Sequence, residues 1–192
     1  MAIGYACLNI GTPNTNIRSV MQRNATAEKL TEVITHNLEA LEKMVDYNIA
    51  NGISLYRISS DLIPFGSSPV NMLPWWDIHA EDFQRIGTKI RRGSMRVSFH
   101  PGQYTVLNSP DEDVVARAIL DLAYHDKMLE CLGVDNKNKI VLHVGGIYGD
   151  KEAALDRFAE NFQRLPESVQ NRLIIENDDR LYNSEEVLEL TN

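Results

Sequence analysis

The stretch DIHAEDFQRIGTKIRRGSMRVSFHPGQY, residues 77–104, carries the pattern on which the fold reading turns. Its first part places Phe83, Ile86 and Ile90 three and four positions apart, which puts them on one face of a helix over residues 77–92. Gly93 then offers a C-terminal cap. Residues 95–99 are short and apolar enough for a buried strand, and that strand ends in a polar residue, His100. Pro101 and Gly102 follow directly and force a tight, exposed turn that presents Gln103 and Tyr104 as a rigid pair.

Outward from this stretch the same unit repeats. Residues 2–9 can form a first strand. Residues 26–51 carry Leu30, Val33, Ile34, Leu38, Leu41, Met44 and Val45 at helical spacing, and Gly52 offers a stop. Residues 54–58 read as a second strand. Beyond the third strand, Ser109-Pro110-Asp111-Glu112 has the form of a capping box with proline at the first helical position, opening a helix to about Leu132 before Gly133. Residues 139–143 are a fourth strand, Asp150 caps a helix to about Leu165, and residues 172–176 are a fifth strand. Asn183, with Glu186 three residues on, opens a last helix. Five strand–helix units predict an α/β protein with a parallel sheet whose faces are covered. Two architectures fit, a doubly wound open sheet or a TIM (βα)8-type barrel. With only about five units, the barrel would be incomplete.

The chain has 192 residues, 43% hydrophobic and 24% charged, which is ordinary for a folded protein and predicts one domain over residues 1–192. No apolar run is long enough to span a bilayer, and the N-terminus lacks the basic start of a signal peptide. Cys7 and Cys131 are far apart and form no metal-spaced pair, so a reduced, cytoplasmic protein is expected, with Cys131 as helix core. The net charge of −8 argues against a sequence-blind basic nucleic-acid binder. It does not exclude a DNA enzyme, because bound metal can supply a locally positive face.

The polar residues gather at one end of the strands. Asn9 ends strand one, Ser59, Ser60 and Asp61 follow strand two, and His100, His143 and Glu176 end strands three, four and five. In a parallel barrel these ends open on the face where active sites lie. Two imidazoles and a carboxylate suit a borderline divalent ion such as Zn²⁺ or Mn²⁺. Taken singly, each has an ordinary reading as a hydrogen-bonded loop residue; three of suitable type, each at the same end of its own strand, point to joint ligation. His36 and His125, within helices, and His79, near a helix start, are read as surface or packing residues. Tyr104 beside Gln103 can stack on or wedge between bases, or pack beneath the next helix. Gly145-Gly146 lets the backbone approach closely after His143.

At these residues the chain resembles the UV damage endonuclease family of DNA-repair enzymes. The resemblance rests on Gly4-Tyr5 with Asn9, on residues 55–65 (LYRISSDLIPF), on His100-Pro101-Gly102-Gln103-Tyr104, on Leu142-His143-Val144-Gly145-Gly146, and on Glu176-Asn177-Asp178-Asp179-Arg180-Leu181. It implies a TIM barrel related to the apurinic endonuclease IV and xylose isomerase group, and a divalent metal cluster with manganese favoured over magnesium or zinc. The implied reaction is hydrolysis of the phosphodiester 5′ to UV photoproducts and other lesions in damaged double-stranded DNA. By the same resemblance His100, His143 and Glu176 are metal ligands, with Glu176 and His143 acting in catalysis. Gln103 and Tyr104 probe the damaged site, and Tyr5 and Asn9 lie near the lesion. Ser68 stands where the family has a histidine, and a hydroxyl is a weaker ligand than an imidazole. Family members continue with further strands that bear more ligands. The resemblance therefore implies an N-terminal portion of such a barrel, with partial metal binding, impaired nicking by the 192 residues alone, and self-association through the edges of strands one and five. Two other readings stay open: a sugar isomerase or epimerase on the same barrel, and a non-catalytic fragment that binds damaged DNA or a partner chain.

Overall fold

The computed structural model describes residues 2–178 and 180–191. In chain order the elements are β1 Gly4–Ala6, α1 Ala27–Ala50, β2 Leu55–Arg57, α2 Trp75–Ile78, α3 Ala80–Arg92, β3 Arg96–Phe99, α4 Glu112–Cys131, β4 Lys139–His143, α5 Lys151–Phe162, α6 Glu167–Arg172, β5 Leu173–Glu176 and α7 Ser184–Leu190. All neighbouring strands pair parallel, in the order β1-β2-β3-β4-β5.

That order decides between the two architectures. Right-handed crossovers between sequentially adjacent parallel strands put every connecting helix on one face, whereas a doubly wound sheet reverses its strand order. Burial agrees. Tyr56, Val97, Phe99, Ile140 and Leu142 are buried against the helices, while Arg57, Ser98, Val141 and His143, which alternate with them, are only partly covered. The fold is a TIM-barrel type with five strands present and an open, incomplete barrel. Among the described residues, β1 and β5 each lack a strand partner on their outer edge.

The helix periodicities hold. All seven apolar residues read on α1 are buried, as are Phe83, Ile86 and Ile90 on α3, and one continuous cluster joins these helices to the sheet. Three helices hand over to their following strands by the same device. After α1 the turn places Gly52 at φ +67°, after α3 Ser94 at +50°, and after α4 Gly133 at +62°. In each, the next amide reaches back to the last helical turn: Ile53 to Asn48 O (2.8 Å), Met95 to Ile90 O (3.0 Å) and Val134 to Leu129 O (3.3 Å). This is the Schellman closure. Gly93 is therefore a cap by position but not by handedness, since its φ is −78°; its role is space, because a Cβ there would lie 2.8 Å from Ile49 Cγ1.

Several boundaries differ from expectation. The first strand is shorter than residues 2–9, because Cys7 turns out of line at φ +59°. The helix expected over residues 77–92 starts earlier, at Trp75 after Pro74, and breaks at His79, whose φ of −111° leaves the helical range. The break lets Trp75 bury against Phe83 and Tyr124. Neither Ser109 nor Pro110 starts α4. Asp111 is its N-cap and its carboxylate takes the Asp113 N–H at 2.9 Å, while Ser109 caps only Asp111 N. The helix after Asp150 stops at Phe162, and a further helix, α6, restarts after Pro166 and contains Arg172, which was expected in the strand. Arg172 instead donates to the carbonyls of Val134, Asp135 and Asn138 and pairs with Asp126 at 2.8 Å. The α7 capping box of Asn183 and Glu186 forms as read. Both cysteines are free, and Cys131 is partly buried on α4, where burial pushes its thiol up to about 11.

Candidate metal centre

The strand pleat itself brings the candidate ligands to one face. On β3, Val97 and Phe99 point to the helices, so Ser98 and then His100 point the other way. On β4, Ile140 and Leu142 are buried and His143 alternates with them. On β5, Glu176 is paired with His143 in parallel register. The three side chains thus meet on the open face at the carboxyl ends of their strands.

His100 Nε2 lies 3.0 Å from Glu176 Oε2, and His143 Nε2 lies 3.9 Å from the same oxygen. One donor atom from each residue falls within 4.8 Å of the others. The other nitrogen of His100, Nδ1, is 3.0 Å from the Pro101 carbonyl. A carbonyl only accepts, so Nδ1 carries the proton, and in a neutral ring the Nε2 lone pair faces the Glu176 carboxylate. A proton or a metal ion between them satisfies both. Metal bonds of about 2.1 Å meeting near a right angle leave two ligand atoms about 3 Å apart, the spacing seen here. The donor set fits a divalent metal. The Nδ1 of His143 is buried with no hydrogen-bond partner among the described residues.

The flanking loops are built to hold this face. Ser60 Oγ donates to the His100 carbonyl at 2.9 Å. The turn after His100 forms as the sequence predicts: Gln103 and Tyr104 project, Tyr104 is 72% exposed, and Thr105 N–H closes the turn on Gly102 O at 2.9 Å. Tyr104 does not pack beneath the following helix. Gly145, at φ +112°, passes so close to Asn108 that a Cβ would lie 2.3 Å from Asn108 Oδ1. Asn108 Nδ2 and Tyr182 OH both donate to Gly146 O, at 2.7 and 3.1 Å. Tyr5 and Asn9 stand apart at the end of β1, two strands from His100. Asn9 Nδ2 approaches Tyr5 OH at 3.4 Å, the Tyr5 ring leans on Tyr56, and burial raises the Tyr5 pKa. Ser68 lies in a turn in which its Oγ accepts the Val70 N–H at 3.3 Å, and it lines a different cavity from the one that His100 and His143 line. His36 is partly buried at the surface, with Nε2 3.0 Å from Asn16 O, whereas His79 and His125 are packed away, as read.

The sequence reading passed over Asp178 and Arg180. They line a cavity of about 440 Å³ with His100, Gln103, His143 and Gly145. Burial pushes the Asp178 carboxyl up, but the backbone N–H groups of Leu181, Arg180 and Tyr182 and nearby His143 outweigh it and hold its pKa low. The signal was their position, two and four residues past Glu176. Asp179, in the same run, lies outside the described residues.

A sequential parallel sheet, helices on one face and a His/His/Glu cluster at the strand ends define the class of TIM-barrel-type proteins with a site fit for a divalent metal. Within that class, the chain belongs to the UV-endonuclease UvdE family, whose model matches residues 2–192. It is 43% identical over 191 residues to a protein of Clostridium perfringens named UV DNA damage endonuclease, covering 100% of this chain and 46% of that one. It is 38% identical over 168 residues to one of the same name from Bacillus velezensis, covering 88% and 52%. The chain thus spans about half the length of the curated relatives it matches. The crystal structure of SacUVDE superposes with a TM-score of 0.96 at 36% identity, over 100% of this chain and 65% of that one. A D-psicose 3-epimerase from Clostridium cellulolyticum H10 matches at a TM-score of 0.53 and 15% identity, covering 79% and 54%, which shows a shared fold alone.

Proposed function

We propose that this chain forms part of a metal-dependent DNA repair endonuclease that hydrolyses the phosphodiester 5′ to UV photoproducts and other lesions in duplex DNA, with manganese as the preferred metal. The observation that supports it most is the contact of His100 and Glu176 acceptor atoms, completed by His143, in a member of the UV-endonuclease family. In this reading His100, His143 and Glu176 hold the metal. When bound, such an ion polarises a phosphoryl oxygen and lowers the pKa of an attacking water. Glu176, partly open to solvent, would offer that water its free carboxylate oxygen as a proton acceptor, and His143 would act through the ion that it holds. The exposed Gln103 and Tyr104 enter the duplex where a lesion has already weakened stacking, so that opening costs less there. Tyr5 and Asn9 approach from the β1 side.

The protein is taken to be cytoplasmic; no helix among the described residues is long and apolar enough to cross a membrane. Association of copies through the open edges of β1 and β5 belongs to the same proposal, and light scattering over a concentration series tests it. The function is tested by incubating the chain and Mn²⁺ with supercoiled plasmid, UV-irradiated or not. Nicking that needs both irradiation and metal supports the proposal, and nicking indifferent to either refutes it. Selective binding of damaged duplex without cleavage selects the non-catalytic reading, for which the solvent-open site is the specific observation.

A further inference from the structure

Midway along α4 a carboxylate sits where a core residue belongs. Asp121 is 4% exposed. Its Oδ1 accepts from Ser67 Oγ at 2.8 Å and its Oδ2 from Thr105 Oγ1 at 2.7 Å. The two donors come from different loops. Ser67 lies in the connection between β2 and α2, and Thr105 directly follows Tyr104. Burying a charge is costly unless it is hydrogen-bonded, and a carboxylate is the group that can take both hydroxyls at once, one on each oxygen.

The neighbouring residues on the same helical face act alike. Tyr124 OH accepts from Ile63 N–H at 3.2 Å and donates to Ser60 O at 3.1 Å, and its ring fills the space over Gly66, where a Cβ would meet it at 2.1 Å. His125 Nδ1 donates to the Asp121 carbonyl at 2.7 Å, and its ring lies against Phe99 and Tyr124. Between the two loops lies a cavity of about 350 Å³, lined by Asp61, Ser67, Ser68, Tyr104, Asp121 and Tyr124 among others.

We infer that Asp121 is a positioning residue: it ties the loop bearing Tyr104 to the loop at Gly66–Ser68, holds the cavity between them at a set width, and so fixes the stance of Gln103 and Tyr104 toward DNA. The last clause rests on the DNA reading above; the first two do not.

The test compares Asp121→Asn and Thr105→Val with Thr105→Ser, which keeps the hydroxyl. Amide hydrogen exchange in the free protein is read at Gly66, Ser68 and Thr105, whose N–H groups are bonded within their own turns. The expected result is exchange at least about tenfold faster at these amides in Asp121→Asn and Thr105→Val, near the starting rate in Thr105→Ser, and unchanged in β4 and α5. Unchanged loops, or equal acceleration everywhere, overturn the tie. A second arm measures affinity for a duplex with one abasic site against the same duplex undamaged, with Mn²⁺ binding as a check on the metal centre. A preference reduced at least fivefold in the first two variants, at unaltered Mn²⁺ affinity, supports the role in stance, and an intact preference overturns it. A starting protein with no preference refutes the DNA reading, and the role in stance with it, while the exchange arm still decides the tie.

Discussion

Replacing Gly145 by alanine probes how the loop after β4 holds His143. The glycine sits at φ +112°, outside the left-handed region that other residues visit, and a Cβ would meet Asn108 Oδ1 at 2.3 Å. Asn108 is fully buried, and its amide N–H is bonded to Gly146 O, so it cannot swing away without losing that bond. Backbone strain of about 1–3 kcal/mol and the lost hydrogen bond, about 1 kcal/mol, give a destabilisation of roughly 2–4 kcal/mol. For a chain of this size that lowers Tm by roughly 5–15 °C. The same displacement moves the backbone two residues from His143, so Mn²⁺ affinity falls as well. The control is Gly146→Ala: its φ is not positive and the nearest atoms its Cβ would meet are those of the Tyr148 ring at 3.2 Å, so the cost there stays near or below about 1 kcal/mol. Denaturant unfolding and manganese titration on both variants decide the matter. Equal destabilisation by the two alanines, or a Gly145→Ala protein as stable as the starting one, refutes the reasoning.

Three further predictions use other parts of the molecule. Glu176→Ala leaves two imidazoles without the carboxylate that both approach, so calorimetric titration should show Mn²⁺ affinity lowered at least about tenfold; for the starting protein, affinity should also weaken as pH drops, because ligands must shed protons. An unchanged affinity in Glu176→Ala removes these residues from the metal site. His125 is held below the ordinary imidazole pKa by burial. The unfolded chain, titrating near pH 6.5, therefore takes the proton first, so stability is complete above about pH 6.5 and declines below it, with a slope approaching 1.4 kcal/mol per pH unit. Urea midpoints between pH 7.5 and 5.5 should fall less steeply for His125→Phe, and parallel curves for the two proteins exclude this contribution. Arg172→Met strips three carbonyls and the buried Asp126 of their partner, and should cost about 3 kcal/mol in chemical unfolding; a loss under about 0.5 kcal/mol would mark these contacts as incidental.

The parts of the fold legible in the sequence are those where one physical demand dominates. The α1 and α3 faces could be read because burial alone sets their spacing, and the strand-end positions of His100, His143 and Glu176 because polar residues closing apolar runs stand out. Where demands compete, the pattern misleads. The break at His79 follows from Trp75 finding Phe83 and Tyr124, contacts that no local window contains. Arg172 adjoins an apolar run and so reads as strand, yet its guanidinium serves carbonyls from another connection. Asp121 and His125, four apart on a helix, have the signature of a solvated face; both are buried because two distant loops bring donors to Asp121 and the Phe99 ring of β3 covers His125. The identity of the candidate ligands was legible for the opposite reason, since each needs only its own strand to aim it.

His100 and Glu176 touch although 76 positions separate them along the chain. A piece of the sheet without β5 lacks that contact, so the His/His/Glu cup is complete only with the fifth strand in place. Capture of a cation by this cup would therefore require β5 to be docked, and a metal-sensitive dye would report that step. An ion held there would be a clasp across β3, β4 and β5, resisting their separation by an amount that grows with its free concentration.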